Sequence, residues 1–280
     1  MEIGIFAKTF GRTTPQETFS AVRAAGLGHV QFNMLCAGLT ELPDEIGADT
    51  IEQIRVEAAG LEVSIAAMSG TYNMIHPDPQ QREAGRRQLR VMARASRELG
   101  TPVVTLCTGT RDPDYLWAAH PDNASPEAWS DMVAEIAGAA AMAEEEDVVL
   151  AFETEVSNVV DSAPKARRLL DEIASSHLKV VMDGANLFPA GSLQRMSEIL
   201  EEAFDLLGGD IVLAHAKDLD RDGEAGHEAA GTGLLDYDRY ISLLASAGYT
   251  GALVLHSLTE AQVPDCVAFL RGKLAAAAAS

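Results

Sequence analysis

The sequence predicts a closed (β/α)8 barrel, and three observations carry that prediction. Strand and helix signals alternate eight times along the 280 residues. The strand-like runs are continuously apolar, as in VVLAF at 148–152, LKVVM at 178–182 and DIVLA at 210–214, which is the habit of parallel strands covered on both faces. Turns from helix to strand are as short as Ala25-Gly26-Leu27, whereas the connections after the second, third, fourth and seventh strands are long. Eight parallel strands joined by right-handed crossovers can close without leaving an edge. The loop asymmetry puts elaboration, and with it a site, at the C-terminal face.

Each repeat can be justified in order. EIGIFA opens the chain as a strand, and Thr14-Pro15 starts a helix that Gly26 closes. HVQFN is the second strand, followed by a loop through Leu42-Pro43 and a helix, DTIEQIRVEAAG, closed by Gly60. After LEVSIAAM, a helix from Gln80 to Leu99 shows Leu89, Met92, Ala93 and Ser96 on one face and ends at Gly100. PVVTLC leads into a long connection, and Ser125-Pro126-Glu127 has the pattern of an N-cap with proline in the first turn. The fifth, sixth and seventh strands are the three runs already quoted, separated by SAPKARRLLDEIA and SLQRMSEILEEAFDLLGG, each opened by a serine cap. RDGEAGHEAAGTG is a polar, glycine-rich loop before YDRYISLLASAGY; ALVLH is the eighth strand, and the stretch from Thr259 to Ser280 the closing helix. No linker divides the chain, so residues 1–280 read as one barrel domain.

Composition narrows the function classes. A formal charge of −21, from 21 basic and 42 acidic residues, opposes a nucleic-acid partner, because such binding depends on Lys and Arg displacing counterions from phosphates. Cys36, Cys107 and Cys266 are odd in number and lack metal spacing, so they read as buried thiols in a reducing compartment. The N-terminus lacks a signal-peptide pattern, and no apolar run approaches the roughly 20 residues of a membrane span. The expectation is a cytoplasmic protein without a membrane partner.

Three strand ends carry the chemistry. VVLAF runs into Glu153-Thr154-Glu155, LKVVM into Asp183-Gly184-Ala185-Asn186, and DIVLA into His215-Ala216-Lys217-Asp218. A carboxylate at the end of an apolar strand is costly unless a metal, a base or hydrogen-bond donors meet it. Lys217 shares a strand face with His215, as residues two apart do. Other strand ends and loops supply Lys8, Gln31, Asn33, Asn73, His76 and Arg111, groups suited to a small hydroxylated ligand, with Arg111 able to grip a carboxylate or phosphate. The Gly231-Thr232-Gly233 run could offer backbone donors to a phosphate. Trp117 and Trp129 flank the fourth connection, where helix packing is the expected role and sugar stacking the other.

Glu153, Asp183 and His215, with HAKD at 215–218 and Gly-x-Gly-x-x-Asp-Tyr at 231–237, resemble the xylose-isomerase-like TIM barrel superfamily over essentially the whole chain, and more narrowly its sugar phosphate isomerase/epimerase branch. The resemblance implies one divalent ion at the barrel mouth, held by Glu153, Asp183 and His215. Where the family pattern places a fourth ligand, a glutamate on the eighth strand, this chain has His256. Two oxygens and two nitrogens suit Mn²⁺, Fe²⁺, Co²⁺ or Zn²⁺ better than Mg²⁺ or Ca²⁺. Asn186 stands where related epimerases and abasic-site endonucleases often carry histidine, which argues against a multi-zinc cluster.

The expected function is therefore metal-dependent isomerisation or epimerisation of a sugar or sugar phosphate, with Glu153, His256 and Lys217 as catalytic groups. Lys8, Gln31, His76, Arg111, Glu155 and Asn186 are the expected substrate contacts. The alternatives are a lyase resembling inosose dehydratases, a phosphodiesterase of the abasic-site endonuclease type and a non-catalytic sugar-binding barrel. Barrels of this size often associate, so a homo-oligomer is compatible with the sequence.

Overall fold

In the computed structural model, which describes residues 1–278, eight parallel strands close into a barrel. They are β1 (Glu2–Phe6), β2 (His29–Phe32), β3 (Ser64–Ser69), β4 (Val103–Leu106), β5 (Val149–Glu153), β6 (Leu178–Asp183), β7 (Ile211–Asp218) and β9 (Ala252–Leu255). Each pairs with the next, and β9 pairs with both β7 and β1, which completes the circle. A short strand, β8 (Glu228–Ala229), folds back antiparallel onto Lys217 and Asp218 at the end of β7. From sequence this segment, within RDGEAGHEAAGTG, reads as loop, and the structure corrects that.

The helices α1 (Pro15–Ala24), α2 (Ala48–Gly60), α3 (Pro79–Glu98), α4 (Pro126–Glu146), α5 (Ala163–Ile173), α6 (Met196–Leu207), α7 (Tyr237–Ser246) and α8 (Val263–Ala278) form the outer ring. Positions 279 and 280 of the expected closing helix lie outside the described residues. Thr14 and Ser125 cap α1 and α4 as their sequences suggest, accepting from Glu17 N at 3.3 Å and Ala128 N at 3.1 Å. The two other serine caps differ. Ser162 makes no capping bond, and Ser192 heads a short 3-10 turn before α6, where Asp222 Oδ2 accepts from Ser192 N and Leu193 N. Gly26 and Gly100 take the left-handed conformation expected of them, but after α2 that conformation falls on Glu62, and Gly60 is the last helical residue.

Side-chain alternation builds the barrel interior. A strand sends successive side chains to opposite faces, and the outward set packs with the helices into the main core: Val30, Phe32, Met68, Val104, Leu106, Leu150, Phe152, Val180 and Met182 among them. The inward set begins with Ala67, Val103, Ala151, Val181, Leu213 and Val254, which form a separate small cluster inside the barrel. Two residues further along, the same inward columns bring Ser69, Thr105, Glu153, Asp183, His215 and His256 to the C-terminal mouth. The positions of the polar groups thus follow from strand periodicity. Register sets them side by side, with Asp183 opposite His215 and His215 opposite Val254.

Candidate metal centre and cavity

At the mouth, Asp183 and His215 face each other with unsatisfied atoms. Oδ2 of Asp183 and Nδ1 of His215 are both buried without a hydrogen-bond partner, and they stand 3.5 Å apart. Oε1 of Glu153 lies 3.7 Å from the same His215 nitrogen. Asp183, His215 and His256 each bring a ligand-type atom to within 4.8 Å of the others. Buried polar atoms in native proteins are nearly always hydrogen-bonded, so two that lack such a bond and converge on one point, beside the Lys217 ammonium that faces Asp183, fit a shared third partner, and carboxylate plus imidazole donors are the chemistry of a divalent transition metal.

The surrounding groups fix these donors. His215 Nε2 donates to Gln31 Oε1 at 2.8 Å, and Gln31 can accept because its own Nε2 donates to Ser69 Oγ (3.3 Å) and Thr105 Oγ1 (3.1 Å). Nδ1 is therefore the nitrogen that faces the centre and offers its lone pair once its proton is lost. Asp183 Oδ1 accepts from Ala185 N at 3.0 Å, which aims Oδ2 at the cluster. Asn186 Nδ2 donates to Glu153 Oε1, while its Oδ1 accepts from Gly226 N at 3.0 Å. The His256 ring stacks on that of His215, centroids 5.2 Å apart, and meets Phe6 edge-on at 5.1 Å.

Lys217 adds a buried positive charge, 3.2 Å from Asp183 Oδ2 and 3.9 Å from Glu153 Oε1. Burial alone would lower its pKa, but Asp183 and Glu153 outweigh that and raise it. Likewise burial would raise Asp183, yet Lys217 and His215 hold it well below the usual carboxylate range. Burial pulls His215 down, and Glu153 and Asp183 reverse this, pushing it up to about 9. His256 goes the other way: burial, then Lys217 and His215, drive it well below an ordinary imidazole. Glu155 is raised to about 7, chiefly by burial; its oxygens accept from Ser157 N (2.8 Å) and Asn158 Nδ2 (3.1 Å).

The centre opens into two lobes that share Glu153, His256 and Trp117. The smaller, about 180 Å³, is lined by Phe6, Lys8, Gln31, Ser69 and Thr105 among others. The larger, about 500 Å³, lies between the loop after β4, which brings Tyr115 and Trp117, and the loop after β7, which brings Arg221, Glu224 and His227. Both lobes are built at the C-terminal face from the long connections.

A family model for xylose isomerase-like TIM barrels matches residues 19–273. The chain belongs to that family. Among curated protein sequences none matches significantly. Solved structures with the same fold include a D-tagatose 3-epimerase-like protein (TM-score 0.78, 13% identity, 99% of this chain and 98% of that one). Another is 3-keto-D-glucoside 4-epimerase from E. coli (TM-score 0.71, 17% identity, 97% and 99%). A third is the IOLI protein, solved with a bound zinc atom (TM-score 0.73, 14% identity, 99% and 98%). At these identities the likeness speaks for the barrel fold.

The residues singled out from the sequence of this xylose isomerase-like barrel divide into three groups. Glu153, Asp183, His215, Lys217 and His256 converge on one centre, and Glu155 and Asn186 line the larger lobe. Lys8 and Gln31 line the smaller lobe, but Lys8 is paired with Glu41 at 2.9 Å and the Gln31 amide is committed to His215, Ser69 and Thr105. Gln31 therefore braces a histidine where substrate contact was expected. His76 and Arg111 line neither lobe. His76 Nε2 meets Pro113 O at 3.0 Å and Nδ1 accepts from Asp78 N, while Arg111 bonds Asp131 at 2.7 Å and Ile75 O at 3.2 Å. Both stabilise loops.

The glycine-rich run also has an internal partner. Asp218 Oδ2 accepts from Gly231 N, and Oδ1 from Leu219 N and Leu235 N. At Gly233 a Cβ would come within 2.4 Å of Leu219 O and 2.5 Å of Asp218 Oδ1, which explains the glycine. Tyr237 then donates to Lys217 O at 2.9 Å, so the Asp of HAKD and the Gly-x-Gly-x-x-Asp-Tyr run form one structural unit behind Lys217. Trp129 packs on Arg168 and donates to Glu172, as helix packing predicts; Trp117, in contrast, faces both lobes. Tyr115 and Arg221 were not singled out from sequence, and their only signal there was membership of the two long loops.

Proposed function

We propose that this protein is a divalent-metal-dependent isomerase or epimerase of an unphosphorylated sugar. The observation that carries the reading is the convergence of two buried atoms that lack a hydrogen-bond partner, Asp183 Oδ2 and His215 Nδ1, with Lys217 as the ion-pair partner of Asp183 and with Glu153 and His256 beside them as the remaining two donors. When bound, a divalent ion would supply Lewis acidity to substrate oxygen and so acidify the C–H bond next to a carbonyl. Glu153, which borders both lobes, takes that proton; in isomerisation it returns it to the neighbouring carbon, whereas epimerisation needs delivery to the opposite face by a second group, a role for Glu155 at the cavity wall. Lys217, whose raised pKa keeps it an ammonium, stabilises the oxygen on which negative charge develops. A neutral His256 with a depressed pKa is a good lone-pair donor and a weak base, so it serves as ligand.

Charge pairing disfavours a phosphorylated substrate. Among the described residues, each Lys and Arg lining the two lobes already has a carboxylate: Lys8 has Glu41, Lys217 has Asp183 and Glu153, and Arg221 has Asp220 and Glu224. The Gly231 amide is given to Asp218. A dianionic group entering here would have to compete with these carboxylates for each cation. The same pairing, with the charge of −21, disfavours the phosphodiesterase reading.

A second reading, dehydration, draws on Glu155: a cavity-lining carboxyl raised to about 7 is partly protonated at neutral pH and could protonate a departing hydroxyl. The test is incubation of the metal-reconstituted protein with ketoses and keto-sugars in D2O, followed by mass spectrometry. Deuterium gain with the carbon skeleton and oxygens intact supports isomerisation or epimerisation, loss of one water supports the lyase, and neither change on any sugar refutes both.

A further inference from the structure

The cavity is divided at the centre into two lobes. Pockets that bury a drug-sized ligand run to roughly 300–1,000 Å³; the smaller lobe, at about 180 Å³, is below that range, and the larger, at about 500 Å³, is within it. The two lobes meet at Glu153 and His256, so a ligand that presents its reacting carbon to the centre has room on both sides of it.

The larger lobe is preformed. Its outer wall, the loop after β7, is tied down by Gly226 N donating to Asn186 Oδ1 at 3.0 Å and by Asp222 Oδ2 accepting from Ser192 N and Leu193 N. Gly226 fits closely, since a Cβ there would come within 2.5 Å of the Ala185 side chain and 2.6 Å of Asp218 O. On the opposite wall Tyr115 and Trp117 remain 61% and 36% exposed, although large aromatic side chains are among those that gain most from burial. Glu155, Ser157, Glu224 and His227 add polar groups to the same lobe. Aromatic faces beside polar side chains match a pyranose ring, which has flat C–H faces and a rim of hydroxyls. The lining cations are paired, as described above, and Glu153, Glu155 and Glu224 line the same lobe, which disfavours an anionic occupant.

We propose that the substrate is a neutral two-ring glycoside, a keto-sugar whose reacting carbon lies at the Glu153–His256 junction and whose second sugar ring occupies the larger lobe against Trp117 and Tyr115. This rests on the isomerase or epimerase reading and adds the substrate's size and charge.

The test compares D-fructose with four glucosyl-fructoses, turanose, maltulose, leucrose and palatinose, which keep the ketose carbonyl and differ in linkage. The metal-reconstituted protein is assayed for deuterium incorporation from D2O. Binding is followed separately by fluorescence in the Trp129→Phe variant, where Trp117 is the remaining indole of the two in the chain. The expected result is that at least one glucosyl-fructose exceeds D-fructose in kcat/KM by about tenfold or more, quenches Trp117 at concentrations where D-fructose does not, and loses most of that preference in Trp117→Ala. Exchange on D-fructose equal to or faster than on every disaccharide would overturn the two-ring proposal and leave the proton-transfer reading standing. No exchange and no quenching with any probe would overturn both.

Discussion

His215 donates its Nε2 proton to Gln31 Oε1 at 2.8 Å, across the barrel from β7 to β2. That bond selects the tautomer that leaves Nδ1 facing Asp183 and Glu153, and it is possible only because Ser69 and Thr105 take up the Gln31 amide protons. Removing a partner of this kind from a ligating histidine typically costs about 10–100-fold in metal affinity. Gln31→Leu should therefore weaken metal binding by about that much while the barrel stays folded, read by competition with a chromogenic chelator and by circular dichroism. Unchanged affinity would mean that packing alone orients His215.

The raised pKa of His215 couples metal binding to pH. With no ion bound, Glu153 and Asp183 hold a proton on this imidazole up to about pH 9, above its ordinary 6.5. A group whose folded pKa is raised stabilises the fold fully below its unfolded value and loses that contribution as pH climbs through the folded one. For the metal-free protein the contribution is complete below about 6.5 and fades through about 9. A metal must displace that proton, so affinity should fall by about tenfold per unit as pH drops below about 9. Titration calorimetry in buffers of different ionisation enthalpy should find about one proton released per ion near neutral pH.

The barrel and its mouth were legible because both follow from periodicity. Val181 and Asp183, or Leu213 and His215, are two residues apart on one strand, so an apolar residue facing the barrel axis forces the polar one to face it too. Loop residues have no such rule. His76 and Arg111 have the right chemistry for a sugar site, but each found partners in its own loop cluster, Pro113 and Asp78 for one and Asp131 and Ile75 for the other. Gln31 was readable as inward-facing, yet its partners lie 38, 74 and 184 residues away and could not be read locally. Trp117 and Trp129 are similar in sequence setting, and only the path of the chain after β4 separates the one facing the cavity from the one packed on Arg168.

Asp183 ends an apolar strand, which by itself suggests a rim carboxylate that the fold could lose. Its side chain is instead fully buried and paired with a Lys217 side chain that is 5% exposed. Breaking a buried pair on one side costs about 3–5 kcal/mol. Asp183→Ala should thus lose both the metal and several degrees of thermal stability, the latter measured on metal-free protein so that the two losses separate. The double variant Asp183→Ala, Lys217→Met should regain much of the stability without regaining the metal. If the single variant retains stoichiometric metal, Asp183 is no ligand.

His256 decides between two chemistries, because a histidine here could be a metal ligand or the second proton carrier. Burial, Lys217 and His215 drive its pKa well below the ordinary imidazole value, so it stays neutral over the range in which the protein would be assayed. A base of that kind accepts protons weakly, while a neutral nitrogen beside Asp183 and His215 is ready to donate a lone pair. His256→Gln should consequently lower metal content and turnover together, and the pH dependence of metal affinity should remain, since it comes from His215. If the same substitution leaves metal content normal and cuts turnover by about 10²–10⁴-fold, His256 is the proton carrier despite its depressed pKa. If it preserves both, the ring serves only to stack on His215 at 5.2 Å and close the mouth against Phe6, and Glu155, a buried carboxyl at the cavity wall, is then the group to test for the second proton.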